Sequence, residues 1–197
     1  MLEVLTYRIS AYLVSVQAAN MEDQEIIAYG LFHILASIQQ VLILAVLSVV
    51  FKMAAEIFCY AICFTTLKRL IGGSHAGSHW ACVCGFTAMA FAVCFVCLNL
   101  PPDTVFFFTM LLAFVMVTLV VIKAPIPHPK NPLSDKKRAK IRKQAIGVAL
   151  AQFFAICIAI FILPERMHVF ALCGAVGSGS AALTLILPMP GDKGGEK

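Results

Sequence analysis

The chain has 197 residues, 61% of them hydrophobic and 13% charged, with a formal net charge of +5 at pH 7. Soluble domains average about 45–50% apolar and about 25% charged residues, so with a mean hydropathy of +0.92 the composition excludes a water-soluble domain and specifies an all-α integral membrane protein. At roughly 20 residues per crossing, the length holds about six transmembrane helices with short connections and no separate soluble domain.

Residues 2–17 place Leu2, Leu5, Ile9, Tyr12, Leu13 and Val16 at helical spacing, with Glu3, Ser10 and Gln17 off that stripe. The segment is too short and too mixed to cross, so residues 1–19 are expected to form an amphipathic helix lying on the membrane. The first twenty residues hold no compact apolar core followed by a small-residue cleavage site, so insertion is expected to rest on the spans.

Asn20 followed by Glu22, Asp23 and Glu25 reads as a helix start, with acidic residues at the positive end of the helix dipole. From Ile26 to Phe51 no charged residue occurs, which gives span one over 26–51. His33, Gln39 and Gln40 within it are expected to face the bundle interior, because lipid would leave them unsatisfied. Residues 53–67 form a shorter second span, with Glu56 near its start. Residues 83–100, ending at Pro101-Pro102-Asp103, and 104–122 form spans three and four, a tight helical hairpin.

Composition changes at 123–143, which carries eight of the fifteen Lys and Arg residues. Prolines 125, 127 and 129 favour an extended segment, and Ser134 is placed to cap the basic helix that follows. Uncharged runs then give span five over 144–164 and span six over 167–188, in which Gly174, Gly177 and Gly179 permit close packing. The positive-inside rule puts the basic loop in the cytoplasm. Counting back through the hairpin puts residues 68–81 and both termini on that side, leaving Lys52 and Arg166 outside.

The eight cysteines do not read as a disulfide framework. Cys59, Cys63, Cys94, Cys97, Cys157 and Cys173 lie in apolar runs, where free cysteine behaves as a small hydrophobe, so their thiols are expected to stay apart and reduced. The chemistry concentrates instead in the interruption from Lys68 to Gly85, which gathers Lys68, Arg69, Gly72, Gly73, His75, His79, Cys82 and Cys84. His75 and Cys82 are seven residues apart, about 10.5 Å along an unbroken helix, too far for proton transfer at roughly 3 Å. Gly72, Gly73 and Gly77 allow the backbone to fold back and bring a histidine to a cysteine at the start of span three. There an imidazole and the helix dipole would favour a nucleophilic thiolate.

Spacing does not choose between His75 and His79 as base, or between Cys82 and Cys84 as nucleophile. The competing reading is a metal-binding membrane protein or transporter using His75, His79 and Cys82 from one helical face. A third is a polar turn whose Lys68 and Arg69 anchor the interface. A nucleic-acid partner is not expected, because the basic run flanks a span and lacks interleaved aromatics.

A basic residue followed by Gly-Gly-Ser-His-Ala, with a cysteine seven residues after the histidine, resembles the accessory gene regulator B (AgrB) family of integral-membrane cysteine endopeptidases in Gram-positive bacteria. Pro-Lys-Asn-Pro-Leu-Ser and the following lysine-rich run resemble that family's basic loop. The resemblance implies a dyad of His75 as base and Cys82 as nucleophile, with Gly73 before the histidine and with His79 and Cys84 as bystanders. The family pattern expects an arginine seven residues before the histidine, where this chain has Lys68 and Arg69 follows.

The implied reaction removes the C-terminal tail of an autoinducing-peptide precursor through a thioester acyl-enzyme, after which a substrate cysteine closes a thiolactone; no cofactor or metal is implied. The implied partner is a small propeptide with an amphipathic N-terminal helix and an acidic tail, which Lys136, Lys137 and Arg138 could attract. The resemblance further implies a homodimer in the cell membrane, among its lipids. An orienting third group is expected from Gln39, Gln40 or Glu56.

Overall fold

The computed structural model describes residues 2–18, 20–72, 79–126 and 134–186. Among them the chain is helical: α1 (Leu2–Ser15), α2 (Gln24–Val50), α3 (Ala54–Ile71), α4 (His79–Leu98), α5 (Pro102–Lys123), α6 (Asp135–Ile162) and α7 (His168–Leu183), with single 3-10 turns before α2 and α7. Four stretches are long and apolar enough to cross a membrane: Met21–Val50, Trp80–Leu98, Pro102–Lys123 and Asp135–Ile162. The other two expected spans are helices of a different kind. α3 carries Glu56, Lys68 and Arg69 within its 18 residues, and α7 is apolar but has only 16.

Residues 1–51 and 52–197 form two compact units. In the first, α1 packs on α2 through Thr6 and Ser10, which are buried, while Leu5, Tyr12 and Val16 of the expected apolar stripe are exposed. Small side chains bring two helices close; the larger apolar ones are left facing outward. Asn20 stands at the N-cap position, but its amide bonds the Asp23 carboxylate at 3.3 Å instead of capping the backbone. Only Leu44 and Ser48 of α2 are buried, so its apolar surface is presented almost all round. Gln39 and Gln40 are half-buried and His33 is exposed, with its ring edge-on to Tyr29 at 4.3 Å. Phe32 on the same helix is also edge-on to it, at 5.8 Å.

In the second unit α7 is central, packed against α3, α4, α5 and α6. Its buried positions include Ala171, Gly174, Ala175, Gly177, Ser178, Gly179, Ala181 and Ala182, small residues that let helix backbones approach where there is no hydrophobic drive between helices. A Cβ at Gly177 would run into the Tyr60 carbonyl of α3, so that crossing requires glycine. The contact is stitched by polar groups. Tyr60 and Ser180 share a hydrogen bond at 3.2 Å, and Gln152 of α6 donates to the Cys63 carbonyl and to Thr66 while accepting from Ser178.

α3 and α4 run antiparallel, with Phe86 against Phe64 and Tyr60 at centroid distances of 4.8 and 5.8 Å. The core stripe of α4 is Val83, Thr87, Ala90, Cys94 and Cys97, a helical repeat. Cys94, Cys97 and Cys173 are free and buried, but not far apart: the Cys173 thiol of α7 lies near both others. Small thiols on two closely packed helices are driven together by the same packing that buries them.

The basic segment is not a separate helix before span five. α6 runs unbroken from Asp135 to Ile162, with Ser134 at its N-cap position making no side-chain cap bond. Ala124, extended, leads through a cis Ala124–Pro125 bond to Ile126, whose N–H donates to the Ile71 carbonyl at 3.0 Å. This contact returns the chain to the end of α3.

Candidate active site

The site is built where α3 ends and α4 begins. Gly72 terminates α3 at φ +69°, a left-handed conformation that suits glycine. A Cβ there would also lie 2.6 Å from the Ile126 carbonyl, against which Gly72 forms an isolated bridge. Two independent constraints therefore explain this glycine. They fix the direction in which the chain leaves α3 toward residues 73–78.

Lys68 stands past the apolar run of α3, in its last turn, and is half-buried. Its ammonium donates to the Gly72 carbonyl at 2.9 Å and to Thr184 Oγ1, just beyond α7, at 2.7 Å. Removal from water pushes its pKa down from the ordinary lysine range to about 8, and negative charge on Cys82 acts in the opposite direction. Lys68 and Cys82 are thus electrostatic neighbours. Arg69, the other cation considered from sequence, is exposed.

Cys82 is the fourth residue of α4, in the first turn at the positive end of the helix dipole. Its side chain is exposed and reduced. Val83 is buried, and Cys82 and Cys84 leave the helix about 100° to either side of it. Cys84 is exposed as well, but Cys82 is the thiol whose charge bears on Lys68.

His75 and Gly73 lie outside the described residues, and His79 is described only as the first residue of α4. Glu56 sits in the first turn of α3, about 18 Å along the helix axis from Lys68. No group of three metal-binding side chains occurs among the described residues.

Lys136, Lys137 and Arg138 are exposed at the start of α6, and the helix separates them. Arg138 shares a stripe with Asp135, Ala139 and Arg142 that lines a recess against the end of α5, whereas Lys136 and Lys137 lie off that stripe. Sequence reasoning missed Thr184 and Ile126, which hold the end of α3 from more than 50 residues away. Nothing local marks either residue; the only cue was a hydroxyl near the end of an apolar run.

Several helices long and apolar enough to cross a membrane define a multi-pass membrane protein, and an exposed thiol and a half-buried cation mark the end where α3 stops and α4 starts. The chain belongs to the accessory gene regulator B (AgrB) family, whose family model matches residues 6–185. It is a membrane protein of autoinducing-peptide processing, acting on a propeptide in quorum sensing. No curated protein and no solved structure matches it.

Proposed function

We propose that the protein is a cysteine endopeptidase with six membrane spans, in which Cys82 is the nucleophile and His75 the general base. The observation that carries this reading is the position of Cys82, exposed in the first turn of α4 beside Lys68, in a chain of the AgrB family. Cys82 Sγ attacks the scissile carbonyl, its proton passing to His75. The C–N bond then breaks, His75 protonates the departing amine of the acidic tail, and a thioester to Cys82 remains. A cysteine of the peptide attacks that thioester, forms the thiolactone and releases Cys82.

Lys68, with Arg69 and Gly73 nearby in sequence, binds the substrate around the scissile bond. Lys136, Lys137 and Arg138 attract the acidic tail before cleavage. The enzyme is a homodimer in the cell membrane, with the site and both termini on the cytoplasmic face and α1 lying along the interface among the lipids.

The test is to trap the acyl-enzyme. Full-length protein in vesicles is mixed with a propeptide whose ring-closing cysteine is replaced by serine, then digested and mapped by mass spectrometry. A hydroxylamine-labile adduct on the peptide containing Cys82 is the expected result. Tail release without any adduct at Cys82 contradicts the mechanism.

A further inference from the structure

We propose that the recess between the end of α5 and the start of α6 is a binding site for the phosphate of an anionic phospholipid. The recess has a volume of about 440 Å³ and is lined by Ile122, Lys123 and Ala124 from α5 and by Asp135, Arg138, Ala139 and Arg142 from α6. The α6 residues are three and four apart, so they form one stripe facing α5. Three cationic side chains meet there against one carboxylate.

Arg142 is held in place by a 3.1 Å bond from Nη2 to the Val121 carbonyl. That bond uses one of the five donors of a guanidinium and orients the planar fork that recognises phosphate. Lys123, the last residue of α5, lies at the negative end of that helix dipole, where a lysine is favourably placed.

The surroundings favour a lipid over a peptide. α5 is one of the stretches apolar enough to span, and Ile122, one residue before Lys123, is 68% exposed. An exposed isoleucine beside a basic recess at the end of a span reproduces the order of acyl chain and headgroup in a leaflet, and basic pockets between helices at this level take lipid headgroups. Lys136 and Lys137, off the stripe, remain available to the acidic tail while Arg138, whose charge also attracts that tail at long range, holds the lipid. The inference does not depend on the chemistry of Cys82.

The test is native mass spectrometry of the full chain released from detergent, titrated with phosphatidylglycerol, phosphatidylcholine or inorganic phosphate. Phosphatidylglycerol should bind about tenfold more tightly than phosphatidylcholine, as expected for one charge-assisted phosphate contact set. Arg138→Gln and Lys123→Gln should each remove most of that preference, and the double variant Lys136→Gln/Lys137→Gln should keep it. Inorganic phosphate at equal concentration should not displace the lipid.

Equal binding of the two lipids overturns the proposal, as does a preference that survives Arg138→Gln and Lys123→Gln. Loss of the preference in Lys136→Gln/Lys137→Gln identifies diffuse attraction and overturns the site. Complete displacement by inorganic phosphate identifies a free-anion site, and displacement by a synthetic acidic peptide assigns the recess to the substrate tail; either result rejects the lipid.

Discussion

Lys68 Nζ donates to Thr184 Oγ1 across 2.7 Å, tying the last turn of α3 to the end of α7, 116 residues further along the chain. The same ammonium bonds the Gly72 carbonyl at 2.9 Å. One cation thus links the central helix to the point where the chain departs toward His75.

Thr184→Val removes the hydroxyl while keeping the shape. The ammonium then loses a partner in a half-buried place, at a cost of about 1–3 kcal/mol. Propeptide processing by the full-length protein in vesicles should fall about tenfold in kcat, with KM changing less. Thr184→Ser should restore it. A Thr184→Ser variant no better than Thr184→Val would show that the methyl packing of Thr184, not its bond to Lys68, is what matters.

Desolvation lowers the Lys68 pKa to about 8. The charged form therefore prevails below that pH and is lost as pH rises through it. Among the charged groups that act on it is Cys82 on α4, whose negative charge favours the ammonium. If the cation assists processing, the rate should decline on the alkaline side from about pH 8. In Lys68→Arg, whose guanidinium stays charged above pH 12, the decline should move to higher pH. An unchanged alkaline limb in Lys68→Arg would assign it to another group.

Gly177→Ala places a Cβ against the Tyr60 carbonyl. Because that atom is backbone, α3 and α7 must separate, and the Tyr60–Ser180 bond lengthens with them. Overpacking of this kind typically costs about 1–3 kcal/mol, so the thermal midpoint of the protein in detergent should drop by several degrees. Gly30→Ala has open space and is the control, with little change expected.

Much of this architecture was legible because uncharged runs of span length have no alternative to helix in lipid. The break between α4 and α5 came from the stop at Pro101-Pro102-Asp103, but α4 packs on α3 and α7 rather than forming a tight hairpin with α5, and α3, expected to end at residue 67, runs on to Ile71. Other features were not legible. The charge change at 123–143 read as a loop followed by a separate helix, yet α6 is continuous, because lysine and arginine are good helix formers and a helix can leave the membrane without breaking. The central position of α7 was invisible to hydropathy, since lipid-facing and buried helices are equally apolar; only its glycines hinted at it. Lys68 and Arg69 were indistinguishable as adjacent cations, and helical geometry separates them by turning one toward Thr184 and the other outward.

The most direct measurement is propeptide processing by four single variants in the same vesicles, with expression and helicity matched to the parent protein. Cys82→Ala and His75→Ala should each abolish tail release, while Cys84→Ala and His79→Ala keep most of it. Full processing by Cys82→Ala, or loss confined to Cys84→Ala, would contradict the assignment of Cys82 as the nucleophile.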